Sequence, residues 1–461
     1  MAPGPVGVRL GSALVTVAFL GAVVGGVGAP LITSVAIDLD VPLEDAQWAL
    51  TVTLFSGAIS APVLGRLGTG PHRRTTILSA LALVALGGLL TTIPLPYWVL
   101  LVGRAFQGLG LGAVALLMSV ARDHLPTDRA QSTIATISVA STVGIGVAYP
   151  TMGLVDQLAG LRMAYGLGFV LTLAAVVVAW RAIPKDVAGH SPRVDVPGAV
   201  LLGIGTLGVL LVVAQPAVWG SPWVGVCVLV LAAVALVGWL QLERRTPDPL
   251  VNLGLLMKGG VFRANLAMFV AGIGMYLLFS LLTRYVQTPS DAGYGFGLSG
   301  AVAGAALIPF SVLGFVAGRL SPRLAERLSP PGTFAIYAGF VIAAACVFAL
   351  IPGSLAVVLI AMTLLGFGVG GASAIMPRLV LNGIPATETA SVLSINQIVR
   401  TVGFSMGSAL AGLLLATATP NGALLPREHG YTTEAIYVLP LLAISVVVIV
   451  GREVAQAGDR G

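Results

Sequence analysis

The chain has little charge, almost no lysine, and few cysteines or histidines. Only 9% of its 461 residues are Asp, Glu, Lys or Arg, against about 25% in soluble domains, so polar groups are too scarce to cover a globule in water. Lys185 and Lys258 are the only lysines, and the bias toward Arg, with abundant Ala, Gly and Val, suggests a GC-rich, bacterial genome. Cys227 and Cys346 both fall inside apolar runs and show neither metal-ligand spacing nor a disulfide framework. His72, His124, His190 and His429 lie between the runs, and no run pairs a nucleophile with a base. An enzyme is therefore not expected, and neither is a cofactor or metal. A nucleotide-binding loop is missing as well. The stretch "GRLGTGPHRR" has Gly65 and Gly70 at the right spacing, but Pro71 and His72 stand where the phosphate-binding Lys and Ser/Thr are needed.

What is present is apolar. The chain is 57% hydrophobic, its mean hydropathy is +0.99, and runs of roughly 20 apolar residues, enough to cross a bilayer as a helix, recur from end to end. In lipid the backbone must satisfy its own hydrogen bonds, so the runs are read as helices of an all-α membrane protein. Breaking them at Pro, Gly and charge gives fourteen expected spans, at 9–35, 46–67, 75–94, 97–120, 131–155, 162–182, 196–215, 222–241, 262–286, 297–318, 332–352, 354–377, 391–417 and 432–450. The first run exceeds a signal-peptide core and is read as an uncleaved span. Most of the 24 basic residues fall in one set of loops, which places both termini in the cytoplasm of a multi-pass protein of the cytoplasmic membrane. The net charge of +6 follows this pattern rather than a nucleic-acid-binding face. Trp48, Trp98, Trp180, Trp219, Trp223 and Trp239 lie near span ends, as an interfacial belt would.

The chain also repeats itself. "GLGLG" at Gly108, Gly110 and Gly112 is echoed by "GFGVG" at Gly366, Gly368 and Gly370. Leu125–Pro126 is echoed by Ile384–Pro385, "STVG" ending at Gly144 by "RTVG" ending at Gly403, and "GRL" at Gly65 by "GRL" at Gly318, all in one order and at nearly one offset. The expected organisation is a six-span bundle over 1–190, two inserted spans over 191–255, and a second six-span bundle over 256–461. Duplicated helical halves are a transporter device, in which rocking exposes a site alternately to each side.

On these features the chain resembles the major facilitator superfamily, specifically its fourteen-spanner drug:proton antiporter branch, over nearly its whole length. "GRLGTGPHRR" lies between spans 2 and 3, where the family places its cytoplasmic gate motif, which implies gate roles for Gly65, Thr69, Arg73 and Arg74. The family's Asp is Thr69 here and its second Gly is His72, so the latch is expected to be weaker or differently built. "LLVGRAFQGLGLG" resembles the family's R-x-x-Q-G motif at Arg104, Gln107 and Gly108, which implies a residue beside the cavity in proton coupling. An Arg tied to backbone carbonyls is the structural alternative. "STVGIGVAYPTMG" keeps Pro150 and Gly153 of the family's helix-bend motif, with Tyr149 and Leu154 in place of two glycines. Asn396, Gln397 and Arg400 fall within about one and a half turns of span 13, with Asn396 and Arg400 on one face. They read as a cavity wall or as polar glue between helices. Arg104, Gln107, Tyr149, Tyr276, Asn396, Gln397 and Arg400 are thus the candidates for cargo binding or coupling. Apolar walls are expected from Phe55, Phe106, Tyr276, Phe279 and Phe404.

Acids pose the difficulty. Asp38, Asp40, Glu44 and Asp45 cluster outside span 1, Asp156 and Asp291 lie near outer ends, and the rest are read as loops or tails. The acid that the family carries in span 1 would fall near Val24 and is absent. Proton coupling needs a carboxyl that titrates as the site alternates; the candidates are Asp38 and Asp156, both peripheral. The expected function is a monomeric secondary transporter that exports small amphipathic, drug-like molecules through the lipid bilayer, driven by the proton gradient. The alternatives are a dedicated metabolite exporter or uncoupled facilitator, and a transport-inactive membrane sensor. Two intramembrane arginines without an intramembrane acid favour neutral or anionic cargo.

Overall fold

The computed structural model describes residues 5–28, 31–41, 46, 48–68, 72–185, 195–214, 218, 220–247, 249–251, 253–298, 300–385, 388–420 and 426–458. Among them there is no strand. The helices divide into two compact units. The first comprises Met1–Met257 with Gly383–Ile398, and the second Lys258–Asn382 with Val399–Gly461. The inserted pair of spans therefore clusters with the first bundle.

In the first unit the helices are α1 (Pro5–Gly26), α2 (Ile32–Asp38), α3 (Trp48–Leu67), α4 (Arg73–Thr92), α5 (Tyr97–Gly112), α6 (Val114–His124), α7 (Thr127–Ala159), α8 (Leu161–Ala182), α9 (Val196–Ala214), α10 (Pro222–Glu243) and α11 (Leu253–Leu256). In the second they are α12 (Gly259–Gln287), α13 (Gly300–Ala305), α14 (Ile308–Leu328), α15 (Pro330–Leu350) and α16 (Leu355–Val380). α17 (Thr389–Thr417) begins in the first unit and continues into the second, which also holds α18 (Glu428–Ile436) and α19 (Val438–Gly458). Among the described residues, thirteen segments are long and apolar enough to cross a membrane, and α9 supplies a shorter apolar stretch at Val196–Val209. Together they match the fourteen expected spans in order.

The structure departs from the expected spans where the backbone breaks. Span 1 was expected as one helix over 9–35, yet α1 ends at Gly26 and a short α2 resumes at Ile32. Span 4 is two stacked helices that meet at Ala113. At the turn between α7 and α8, Gly160 takes φ +84°, a left-handed conformation that suits glycine. α16 begins after Ser354, and α15 after Ser329, whose hydroxyl accepts the N–H of Gly332 as an N-cap.

The sequence echoes have a packing cause. α3 packs on α5, α4 on α5, α4 on α8, and α1 on α8; in the second unit α14 packs on α16, α15 on α16, α15 on α19, and α12 on α19. The same four pairings recur. A Cβ on Gly144 would lie 2.8 Å from the Phe19 carbonyl oxygen of span 1, and one on Gly403 would lie 2.7 Å from the Phe269 carbonyl oxygen of span 9. Each glycine lets two helix backbones touch, as small residues do in membrane bundles.

α9 and α10 form a hairpin on the flank of the first unit. α10 turns Val226, Leu229, Val230, Val234 and Val237 outward, an apolar surface of the kind that faces lipid. Its inner stripe, with Gly225, Ala232, Ala235, Trp239 and Glu243, is buried. α9 packs in turn on α3.

Candidate functional site

Arg104 is the centre of the first unit. It is fully buried on α5, where an unsatisfied guanidinium would be costly. The break in span 1 resolves that cost. The last carbonyls of α1 have no helical partner, and Arg104 donates to two of them, Val24 at 3.4 Å and Gly25 at 3.3 Å. It also donates from Nε to the Ala49 carbonyl of α3 at 3.0 Å and from Nη1 to Gln107 Oε1 at 2.5 Å. Gln107 then donates to the Thr91 hydroxyl of α4 at 3.1 Å. A cation at a helix C-terminus also meets the negative end of the helix dipole. Arg104 thus fastens α1, α3 and α5 together through acceptors that need no carboxylate.

Tyr165 of α8 was not singled out from the sequence. It is completely buried in the core formed with Val23, Val27, Leu31 and Ala49. Its hydroxyl has no hydrogen-bond partner and lies in electrostatic range of Arg104, Arg162 and Asp156. A lone Tyr in an apolar run gives no sequence signal. Asp156, in the last turn of α7, is half-buried and accepts a 2.5 Å hydrogen bond from Ser34 of α2. Asp38 ends α2 and is exposed. Tyr149 and Pro150 are half-buried within α7, which continues through the proline, and Gly153 is buried.

The gate motif is built by residues that the motif itself does not contain. Thr69, with Gly70 and Pro71, lies outside the described residues, as do Glu44 and Asp45. Gly65 is buried in the last turn of α3. Arg73 donates to the Gly68 carbonyl at 3.0 Å and pairs with Asp123 at the end of α6, with N and O 2.6 Å apart. Arg74 donates to the Trp180 carbonyl at 2.6 Å. Next to Asp123, Arg122 donates to the Thr389 hydroxyl and to the Ile384 carbonyl, each at 2.6 Å. Ser394 donates to the Ala61 carbonyl of α3 at 2.9 Å. Residues 383–398 are thereby tied into the first unit. The adjacent Arg122–Asp123 pair was the available sequence signal.

In the second unit, Tyr276 of α12 lies 5.4 Å from both Phe279 and Phe404, centroid to centroid, and Phe279 lies 5.4 Å from Phe310. Arg400 is 8% exposed, with its guanidinium 5.9 Å from the Phe404 ring, a cation–π distance. Asn396 is buried one turn before it on α17, and Gln397 is half-buried. Phe55 lines an apolar groove of about 410 Å³ between α3 and α9, and Phe106 sits against Gly87 of α4.

Two acids read as loop or tail positions are in fact buried, Glu243 and Glu434, each 3% exposed. The expected span was drawn too short at Glu243, whereas Glu434 falls inside the expected last span, 432–450, and was read as a flank. α10 runs to Glu243 rather than 241, and the last span opens at Glu428 rather than 432. Trp239 also differs from the expected belt, since it is buried while Trp98, Trp180 and Trp223 are exposed. Trp219 and His190 lie outside the described residues.

The sequence profile of the Major Facilitator Superfamily matches residues 14–408. The chain belongs to this superfamily. It is a multi-pass membrane transporter of small molecules and not an enzyme. Over 93% of its length it is 28% identical to a puromycin resistance protein of Streptomyces alboniger, of which 88% is covered. Over 82% it is 23% identical to a tetracenomycin C resistance and export protein of Streptomyces glaucescens, of which 70% is covered. A uridine/deoxyuridine transporter of Lactococcus lactis is 25% identical over 73% of the chain and 71% of its own length. In fold, the human organic anion transporter MFSD10 superposes with a TM-score of 0.67 over 97% of this chain and all of its own, at 13% identity.

Proposed function

We propose that the chain exports a small, amphipathic, antibiotic-like molecule across a bacterial cytoplasmic membrane by alternating access, in exchange for inward-moving protons. The similarity to a puromycin resistance protein across nearly the whole of both chains carries this reading. In it, Tyr276 and Phe404 offer apolar contacts to cargo, with Asn396, Gln397 and Arg400 as its polar anchors. Tyr149 is a further cargo contact, and Pro150 and Gly153 let α7 bend. Arg104 and Gln107 hold the break in span 1, with Asp156 as the proton-binding carboxyl in preference to the exposed Asp38. The half-buried position of Asp156 and its hydrogen bond from Ser34 support that choice. Gly65, Thr69, Arg73 and Arg74 form the gate, both termini are cytoplasmic, and the protein works as a monomer. The buried Arg104 and Arg400 favour neutral or anionic cargo over cations; a competition panel in which only lipophilic cations bind tightly contradicts that preference.

The test is uptake of puromycin and of an anionic dye into inverted vesicles with an acidic interior, followed by collapse of the pH gradient. Accumulation that disappears on collapse supports proton-driven export. Similarity to the uridine/deoxyuridine transporter favours a second reading, a dedicated metabolite carrier. Saturable uridine equilibration, unaffected by collapse and with no drug uptake, selects it.

A further inference from the structure

The inserted hairpin ends in an acid pair to which no role has been assigned. Asp195 precedes α9, and its Oδ1 accepts the Gly198 N–H at 3.0 Å, the N-cap arrangement. Glu243 closes α10, and its Oε1 accepts the Val251 N–H of the following loop. Each carboxylate thus commits one oxygen to local structure. The other oxygens, Asp195 Oδ2 and Glu243 Oε2, are both buried and without a hydrogen-bond partner. They crowd one spot over Gly198. A Cβ placed on that residue would meet Asp195 Oδ2 and would lie 3.3 Å from Glu243 Oε2.

A second observation points into the same spot. Trp239 lies one turn before Glu243 on the buried stripe of α10, with its buried indole N–H directed at the Glu243 carboxyl without reaching normal hydrogen-bond geometry. Among the described residues, the charged groups that face Glu243 are Asp195 at the start of α9 and Arg66 at the end of α3. Arg244 and Arg245, which follow it, are exposed. Two ionised carboxylates crowded out of water disfavour one another. One of them also stands at the negative end of a helix dipole. Arg66 offsets one of the two negative charges. Counting the described residues that face Glu243, the corner is electrically neutral when the pair holds one proton.

We propose that Asp195 and Glu243 form a proton-binding pair at the end of the inserted hairpin that the charge pattern places in the cytoplasm. One proton from cytoplasmic water binds a carboxylate oxygen and is shared between the two side chains. Its loss leaves an uncompensated negative charge between α9, α10 and the α3 end that leads into the gate loop. Transport is then slowed as the cytoplasm becomes alkaline. The inserted pair of spans is in this way a cytoplasmic pH sensor attached to the gate. The inference rests on the chain being a transporter, not on its transport being coupled to protons.

Infrared pH-difference spectra of the purified full chain in lipid test the binding step without any gradient or cargo. The wild type is expected to lose a protonated-carboxyl band in a single-proton titration. Asp195→Asn and Glu243→Gln keep the Oδ1 and Oε1 acceptors and so the local fold, and each leaves one carboxylate balanced by Arg66. Each is expected to abolish the band, Arg66→Gln to move its midpoint to higher pH, and Glu434→Gln to leave it in place. Absence of the band in wild type, or its survival in both amide variants, overturns the proposal. The regulatory step is read as uptake into inverted vesicles at a constant pH difference while both pH values are raised together. Above the band's midpoint, wild-type uptake is expected to fall about tenfold per pH unit, the slope of one proton, and uptake by the amide variants to stay level. An equal slope in wild type and variants overturns the sensor role.

Discussion

Arg104 and Arg400 are both buried in apolar helices, and they are accommodated differently. Arg104 spends its donors on the carbonyls of Val24, Gly25 and Ala49 and on Gln107. Arg400 lies beside a phenyl ring, one turn from Asn396, on a helix that passes from one unit into the other. One arginine is mortar for a broken helix, while the other lies against an aromatic ring and is a cargo anchor only in the proposed function. A buried cation is therefore not by itself a sign of coupling; its acceptors determine what it can do.

Replacing the two arginines gives the sharpest separation. Arg104→Met leaves several buried acceptors unpaired and is expected to cost about 3 kcal/mol or more of stability, read as a large drop in melting temperature in detergent together with loss of uptake. Arg400→Met is expected to lower uptake about tenfold, equivalent to about 1.4 kcal/mol in the transport barrier, while the melting temperature changes little. Similar melting losses in both variants erase the distinction. Asp156→Asn extends the comparison to coupling: cargo binding persists while uptake stops responding to the pH gradient, and Ser34→Ala, which removes one hydrogen bond, costs about 1 kcal/mol or less. The smallest effect is expected at the gate. Asp123→Asn breaks the ion pair with Arg73 and changes stability by about 0–1 kcal/mol; the Arg73→Asp, Asp123→Arg double exchange restores whatever uptake the single variant loses.

Much of the fold was legible because the bilayer imposes it. Helix length, loop charge and the glycine echoes each report a physical constraint, and Gly144 and Gly403 repeat because both sit where two backbones touch. The breaks were less legible. A gap after Gly26 carries no charge and little change in hydropathy, so apolar-run counting runs through it. The site was legible only in part. Arg104 and Gln107 stand out because a charge in an apolar run is rare, whereas the carbonyls that Arg104 binds are sequence-silent. The gate motif was legible only in its own residues and not in their partners. Thr69 suggested a missing acid, and the structure supplies Asp123 to Arg73 from the last turn of α6. Glu243 and Glu434 were passed over because acids at the edge of an apolar run look like flanks until a neighbouring helix covers them.

The most direct test of the transport reading is proton movement caused by cargo alone. The purified chain is reconstituted in proteoliposomes that hold a pH-sensitive dye, with the membrane potential clamped and no initial pH difference, and puromycin or the anionic dye is then added outside. Coupled exchange predicts a saturable change of internal pH as cargo enters and protons leave, absent from liposomes without protein and from Asp156→Asn. Cargo entry with an unchanged internal pH contradicts it, and leaves the chain a facilitator.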